Sequence, residues 1–166
     1  ECAPKRVAVV LPPGLGAVLA NFGVLLAGKI PVNLNFTTGR APLEAAIRRS
    51  GVEHAITAGA VQKRLEDFPW PRHVILLEKL MPALKPRVIR WRALVLLAPA
   101  FLLCRLLRIP RVGDREEAVL LFTSGSSGEP KGVVLSHRNI LGNVSQFGVM
   151  LSLNRDDVLL AALPFF

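Results

Sequence analysis

The sequence predicts an α/β fold built on a largely parallel sheet. Short apolar runs suited to buried strands alternate with segments whose apolar residues recur at helical spacing. The chain is also apolar enough to bury a sizeable core: 51% of its 166 residues are hydrophobic, with a mean hydropathy of +0.42. That composition excludes a disordered tail.

"RVAVVLPP" (6–13) is a β-branched run closed by two prolines and reads as a buried strand. "GLGAVLANFGVLLAGK" (14–29) has helical spacing, with Gly28 where a helix can stop. "IPVNLNF" (30–36) is a strand running into the turn "TTGRAP", and "PLEAAIRRS" (42–50) is a helix with Pro at its start and Gly51 at its end. "HAITA" (54–58) and "HVILLE" (73–78) are strands on either side of a helix near 60–67. Beyond "AVLLFTS" (118–124), "GVVLS" is a strand, "HRNILGNVSQFGVMLSL" (137–153) a helix and "DVLLAALPFF" a last strand. The chain starts at Glu1 and stops directly after an apolar run, so the expectation is one part of a longer protein.

Residues 79–113 break the pattern. They carry Lys79, Lys85, Arg87, Arg90, Arg92, Arg105, Arg108 and Arg111 and no acidic residue, around the apolar stretch "ALVLLAPAFLLC" (93–104). From Ala93 to Leu107 a helix would be about 22 Å long, against about 30 Å for a bilayer core, and Pro99 interrupts it. A membrane span is disfavoured. Two readings remain: a helix covering the sheet, or an amphipathic segment on a membrane surface, with Arg90, Arg92, Arg105 and Arg108 facing anionic headgroups and Trp91 as an interfacial anchor. Cys104 is expected to be a small buried hydrophobe rather than a nucleophile.

The net charge of +9 admits nucleic acid, an anionic surface or a phosphate-bearing ligand as partner. The absence of Tyr, of zinc-ligand spacing and of a basic–aromatic pattern argues against nucleic acid. Two cysteines are too few for a disulfide framework, which points to a reducing, cytoplasmic compartment.

The chemistry concentrates in "LLFTSGSSGEPKGVVLSH" (120–137). An apolar strand opens into a hydroxyl-rich turn, and the chain then returns to apolar sequence. Gly125, Gly128 and Gly132 permit positive φ and close backbone approach. Successive N–H groups in such a turn form an anion-binding concavity. Thr123, Ser124, Ser126 and Ser127 add hydroxyls, and Lys131 adds a point charge. The pattern suits nucleotide phosphates. It is not a Walker A loop, since no Gly directly precedes a Lys followed by Ser or Thr. A plain Gly/Ser linker is the competing reading, and the flanking strands and Pro130 weigh against it.

This loop resembles the signature loop of the adenylate-forming enzymes, the superfamily of acyl-CoA synthetases, luciferases and peptide-synthetase adenylation domains. "LPFF" resembles the start of that family's next motif, although the His that normally follows is not present. "PVNLNFTTG" is similar to the synthetase part of the bifunctional acyl-[acyl carrier protein] synthetase and 2-acylglycerophosphoethanolamine acyltransferase family.

The resemblance implies part of a large N-terminal adenylation domain over residues 1–166, with 79–113 as an insert-like segment. It also implies ATP and Mg²⁺ as cofactors, a fatty acid substrate, and acyl carrier protein or CoA as thiol acceptor. In that scheme Thr123, Ser124, Gly125, Ser126, Ser127 and Gly128 wrap the β- and γ-phosphates, Lys131 assists them, and Thr123 helps hold Mg²⁺. The family's later acidic Mg²⁺ residue, its ribose-binding Asp and its C-terminal-lobe Lys fall beyond Phe166. No catalytic residue is therefore expected within these residues, and isolated activity is not. A membrane-surface module and a non-catalytic nucleotide-binding remnant are the rival readings, and cytoplasmic location with contact at the inner membrane is the corresponding expectation.

The remaining polar residues have bland readings. His54 and His73 sit at strand starts, Ser136 is a helix N-cap ahead of His137, and Asp156 and Asp157 form a polar turn. No His is followed four residues later by Asp, so no acyltransferase motif is present. Asn33 and Asn35 alternate on one strand face, with their role open.

Overall fold

A computed structural model describes residues 5–123 and 130–158. Its elements are β1 (Arg6–Val10), α1 (Leu15–Leu26), β2 (Ile30–Asn33), α2 (Arg40–Ser50), β3 (His54–Thr57), α3 (Gly59–Arg64) and β4 (His73–Leu76). They continue with α4 (Leu77–Leu97), α5 (Ala100–Leu106), β5 (Glu117–Thr123), β6 (Lys131–Ser136) and α6 (His137–Met150). The strands form one six-stranded sheet in the order β4-β3-β1-β2-β5-β6. Every pairing is parallel except β5 with β6. The expected α/β fold is observed.

The core is two-sided because β1 alternates across the sheet. Ala8 and Val10 face Val32, Leu34, and Leu43 and Ala46 of α2. Val9 and Leu11 face Ala17 and Ala20 of α1, together with Leu77. Small residues on α1 let that helix lie close to the strands, while its Leu15, Leu19, Phe22 and Leu26 remain exposed.

Polar ties fix the sheet at both ends of its strands. The Arg6 guanidinium donates to both Glu117 carboxylate oxygens at 2.9 and 3.0 Å and to the Ser50 carbonyl at 3.2 Å. One side chain therefore joins β1, β5 and the end of α2. At the other end the fully buried Thr57 hydroxyl donates to the Val10 carbonyl at 2.7 Å. A buried hydroxyl needs such a partner, and here it binds β3 to β1.

Several local signals act as the sequence predicts. Gly51 closes α2 in the left-handed conformation at φ 65°, and its N–H donates to the Ile47 carbonyl. Ser136 caps α6 reciprocally with Asn139. Asp157 and Asn154 accept backbone N–H groups within a polar turn, at 2.7 and 2.9 Å. Boundaries shift elsewhere. Pro42 is the third residue of α2 rather than the first, still within the turn whose N–H groups need no helical partner. The last expected strand falls mostly on 159–166, outside the described residues.

The strand expected over 73–78 stops at Leu76, and α4 begins at once. Glu78 explains the abrupt change. Its carboxylate stands in the first turn of α4 and accepts the Gly59 N–H at 2.9 and 3.0 Å, tying α4 to the start of α3. Hydrogen bonds from its own N–H and that of Gly59 hold its pKa below the usual carboxylate value. This tie is present above the ordinary carboxylate pKa and is lost as pH falls through the lowered one.

Residues 79–113 do not cover the sheet. Among 78–113 no residue is buried, and Pro99 separates α4 from α5. Cys104 is exposed on α5, contrary to the buried position its apolar neighbours suggested. Those neighbours are themselves exposed. Among the described residues no helix is long and apolar enough to cross a membrane. Both ends of this arm touch the folded body. Leu77 packs on the Val9 side of the core, and Pro110 lies against Gly28.

Gly28 has φ 70°, and a Cβ there would stand 2.7 Å from Pro110 Cγ. Gly51 has φ 65° and open space around it. In thermal or denaturant unfolding, Gly51→Ala is expected to cost about 1 kcal/mol of backbone strain. Gly28→Ala is expected to cost about 2–3 kcal/mol, because strain and overpacking add. Equal costs would show that Pro110 does not anchor the arm there.

Candidate functional site

Because β5 runs parallel to β2, Thr123 ends its strand in the same direction in which β1 to β4 end theirs. Ligands of open α/β sheets bind beyond these carboxyl ends. β6 then returns antiparallel, with Lys131 directly opposite Thr123. Directly opposed residues share a sheet face, so hydroxyl and ammonium project to the same side. Thr123 Oγ1 reaches the Lys131 carbonyl only at a long 3.5 Å, and both residues are exposed. Ser124, Gly125, Ser126, Ser127 and Gly128 lie outside the described residues.

Two features of the loop's stem were not read from the sequence. Lys131 is the first residue of β6, so its backbone position is set by strand pairing. Gly132 does not have positive φ. It stands opposite Phe122, and a Cβ on it would meet Leu120 at 3.3 Å and the Phe122 ring at 3.4 Å. A side chain there would press on those two neighbours, so the glycine eases packing and serves no left-handed turn. Arg49 of α2 adds a support from 81 residues away, donating from Nη1 to the Pro130 carbonyl at 2.7 Å. No sequence signal at Arg49 marks it.

Asn33, which ends β2, is buried at 6% exposure. Its amide exchanges hydrogen bonds with that of Asn21 at 2.9 and 3.0 Å, and Asn21 also donates to the Ala17 carbonyl. The pair satisfies the buried Asn33 amide with the half-buried Asn21 and fixes α1 against β2. Asn35 instead accepts from the Thr37 N–H and hydroxyl in the following turn. The two asparagines therefore have separate structural roles. His54 and His73 pair in register with ring centroids 4.8 Å apart, at the opposite ends of their strands from the loop edge. His54 Nδ1 is buried without a hydrogen-bond partner.

Among the described residues no group of three or more His, Cys, Asp or Glu side chains could hold an ion. Thr123 offers one side-chain oxygen. That suits Mg²⁺ only as it commonly binds, with most of its ligands from waters and substrate phosphates.

The arrangement is a hydroxyl-rich, cationic loop at a strand carboxyl end, and known proteins decide its lineage. The profile of the AMP-binding enzyme family matches residues 3–166. The chain belongs to the AMP-binding enzyme family. A long-chain-fatty-acid–CoA ligase of Yersinia pestis is 28% identical over 186 aligned residues, covering 97% of this chain and 33% of that protein. A long-chain-fatty-acid–CoA ligase of Bacillus subtilis is 29% identical, with 97% and 33% coverage. In structure, the o-succinylbenzoate CoA synthetase of Bacillus subtilis in complex with its acyl-adenylate superposes with a TM-score of 0.69. It is 20% identical, and the match covers 96% of this chain and 37% of that one. At that identity the likeness concerns the fold. The chain spans about a third of the length of these curated relatives.

The Arg49 contact has a direct test. Arg49→Met is expected to lower stability by about 1 kcal/mol, the reduced worth of a charged hydrogen bond at a largely exposed site. Hydrogen exchange should accelerate at the β6 amides of Gly132 and Val134 more than in β1. Unchanged exchange in β6 would remove Arg49 as a support of the stem.

Proposed function

We propose that this chain carries the ATP phosphate loop of an acid–thiol ligase, within the N-terminal adenylation domain of the whole enzyme. The observation that carries the reading is the β5–TSGSSGEPKG–β6 arrangement at a strand carboxyl end, in a chain of the AMP-binding family. A carboxylate oxygen attacks the α-phosphorus of ATP. The bond from that phosphorus to the α,β-bridging oxygen breaks, and pyrophosphate leaves with the bonding electrons. The thiol then displaces AMP from the acyl carbon.

The protein's contribution to the first step is positioning and charge neutralisation. Thr123 and residues Ser124 to Gly128 offer hydroxyl and backbone donors to the β- and γ-phosphates. Lys131 places a cation beside them and disperses the charge that accumulates on pyrophosphate. Mg²⁺, bound with the phosphates, supplies further neutralisation, and Thr123 is its one proposed ligand in this chain.

The names of the curated relatives support a long-chain fatty acid as substrate and CoA as acceptor. "PVNLNFTTG" supports acyl carrier protein as the alternative thiol. ATP and either thiol are cytoplasmic reagents.

In the full-length enzyme Lys131→Ala is expected to slow fatty-acid-dependent ATP–pyrophosphate exchange about ten- to a hundredfold. This corresponds to losing one charge-assisted contact of roughly 1.5–3 kcal/mol. An unchanged exchange rate would remove Lys131 from the phosphate site. Supplying CoA or acyl carrier protein separately, and measuring AMP release with each, identifies the acceptor.

A further inference from the structure

The α4–α5 arm is the largest feature that the loop chemistry leaves unused. We propose that it is a docking surface for an anionic phospholipid bilayer, a function separate from the phosphate loop. Met81, Leu84, Val88, Trp91 and Val95 recur at spacings of three and four residues and form one stripe along α4 beyond the core-packed Leu77. Part of that stripe, Leu84, Val88, Trp91 and Val95, lines an open groove together with Arg87, Arg92 and Leu96. By helical spacing Arg87 and Arg92 flank the stripe on opposite sides, whereas Arg90 lies on the far face. Arg87 therefore joins Arg92 beside the stripe, a position that composition alone does not single out. Beyond Pro99, α5 continues the composition with Phe101, Leu102 and Leu106 exposed beside Arg105 and Arg108.

Charge decides the kind of partner. Other apolar faces are exposed too, but α1 contains no charged residue and α6 only Arg138 and the neighbouring His137. On the arm every charged residue after Glu78 is a cation, as far as Arg111. An apolar stripe flanked by cations complements acyl chains bordered by anionic headgroups. Leu96 and Leu97, 86% and 87% exposed, extend the apolar surface around the end of α4. The break at Pro99 suits two segments lying along an interface. Attachment at both ends, through Glu78 with Leu77 and through Pro110, presents the arm on the folded body without burying it.

The test is co-sedimentation of full-length protein with phosphatidylcholine vesicles, pure or doped with phosphatidylglycerol, at low and high salt. Binding is expected only to the doped vesicles and is reversed by salt. Each near-surface cation multiplies partitioning about fivefold, so changing Arg87, Arg92, Arg105 and Arg108 to Gln should weaken binding by roughly several hundredfold. Trp91→Asp should weaken it at constant net basic character elsewhere. Both variants should keep their ATP–pyrophosphate exchange, which shows that they fold and separates this surface from the loop. Equal partitioning of wild type and variants would overturn the proposal. So would a stripe-dependent dimer, broken by Val88→Asp, that does not bind doped vesicles; the stripe would then be a helix–helix seam.

Discussion

The burial of β1 on both faces is the constraint on which the rest of the structure depends. Ala8 and Val10 are fully buried and Val9 is 2% exposed, so every polar group of this strand must be satisfied by neighbouring strands. β2 and β3 supply those partners in parallel. Parallel neighbours require crossovers, and the crossovers place helices on both faces. Strand ends then collect at one edge, and the hydroxyl-rich loop leaves β5 at that edge. Burial of one apolar strand thus determines where the segment proposed to bind phosphates leaves the sheet.

The stem of the loop is more rigidly specified than its glycine content suggests. β6 pairs antiparallel from Lys131, Gly132 makes room for Leu120 and Phe122, and Arg49 holds Pro130. A cation whose backbone lies in a paired strand loses less freedom on meeting a phosphate than one in an open loop. The same economy holds at the other end of the strands, where Arg6 serves β1, β5 and α2 together. The arm is the counterpart to this body. It is basic, unburied and attached at its ends, so its apolar residues contribute little to the core.

Local signals were legible because they act within a few residues. Gly51 ends α2, Ser136 starts α6, and short apolar runs alternating with helical spacing give a parallel sheet. Features that depend on distant partners were not. Arg6 and Glu117 are 111 residues apart, and Arg49 meets Pro130 only once α2 and β6 are adjacent. Gly132 was expected to serve φ and serves packing, a distinction that requires knowing that Phe122 lies opposite. Cys104 was expected inside because its neighbours are apolar, but apolar composition does not say which surface covers a helix. The loop's hydroxyl, glycine and lysine content was legible as a pattern, and it is the basis of the proposed phosphate site. The placement of Thr123 opposite Lys131 came from strand pairing.

The central claim is that this scaffold presents a loop for carboxylate activation at the α-phosphate of ATP. The most direct measurement is mass spectrometry of the products formed by full-length protein with ATP, Mg²⁺ and a long-chain fatty acid, in the absence of any thiol. The account predicts enzyme-bound acyl-adenylate with pyrophosphate in equal amount. ADP with inorganic phosphate, or nucleotide left unchanged while the protein remains folded, would contradict it.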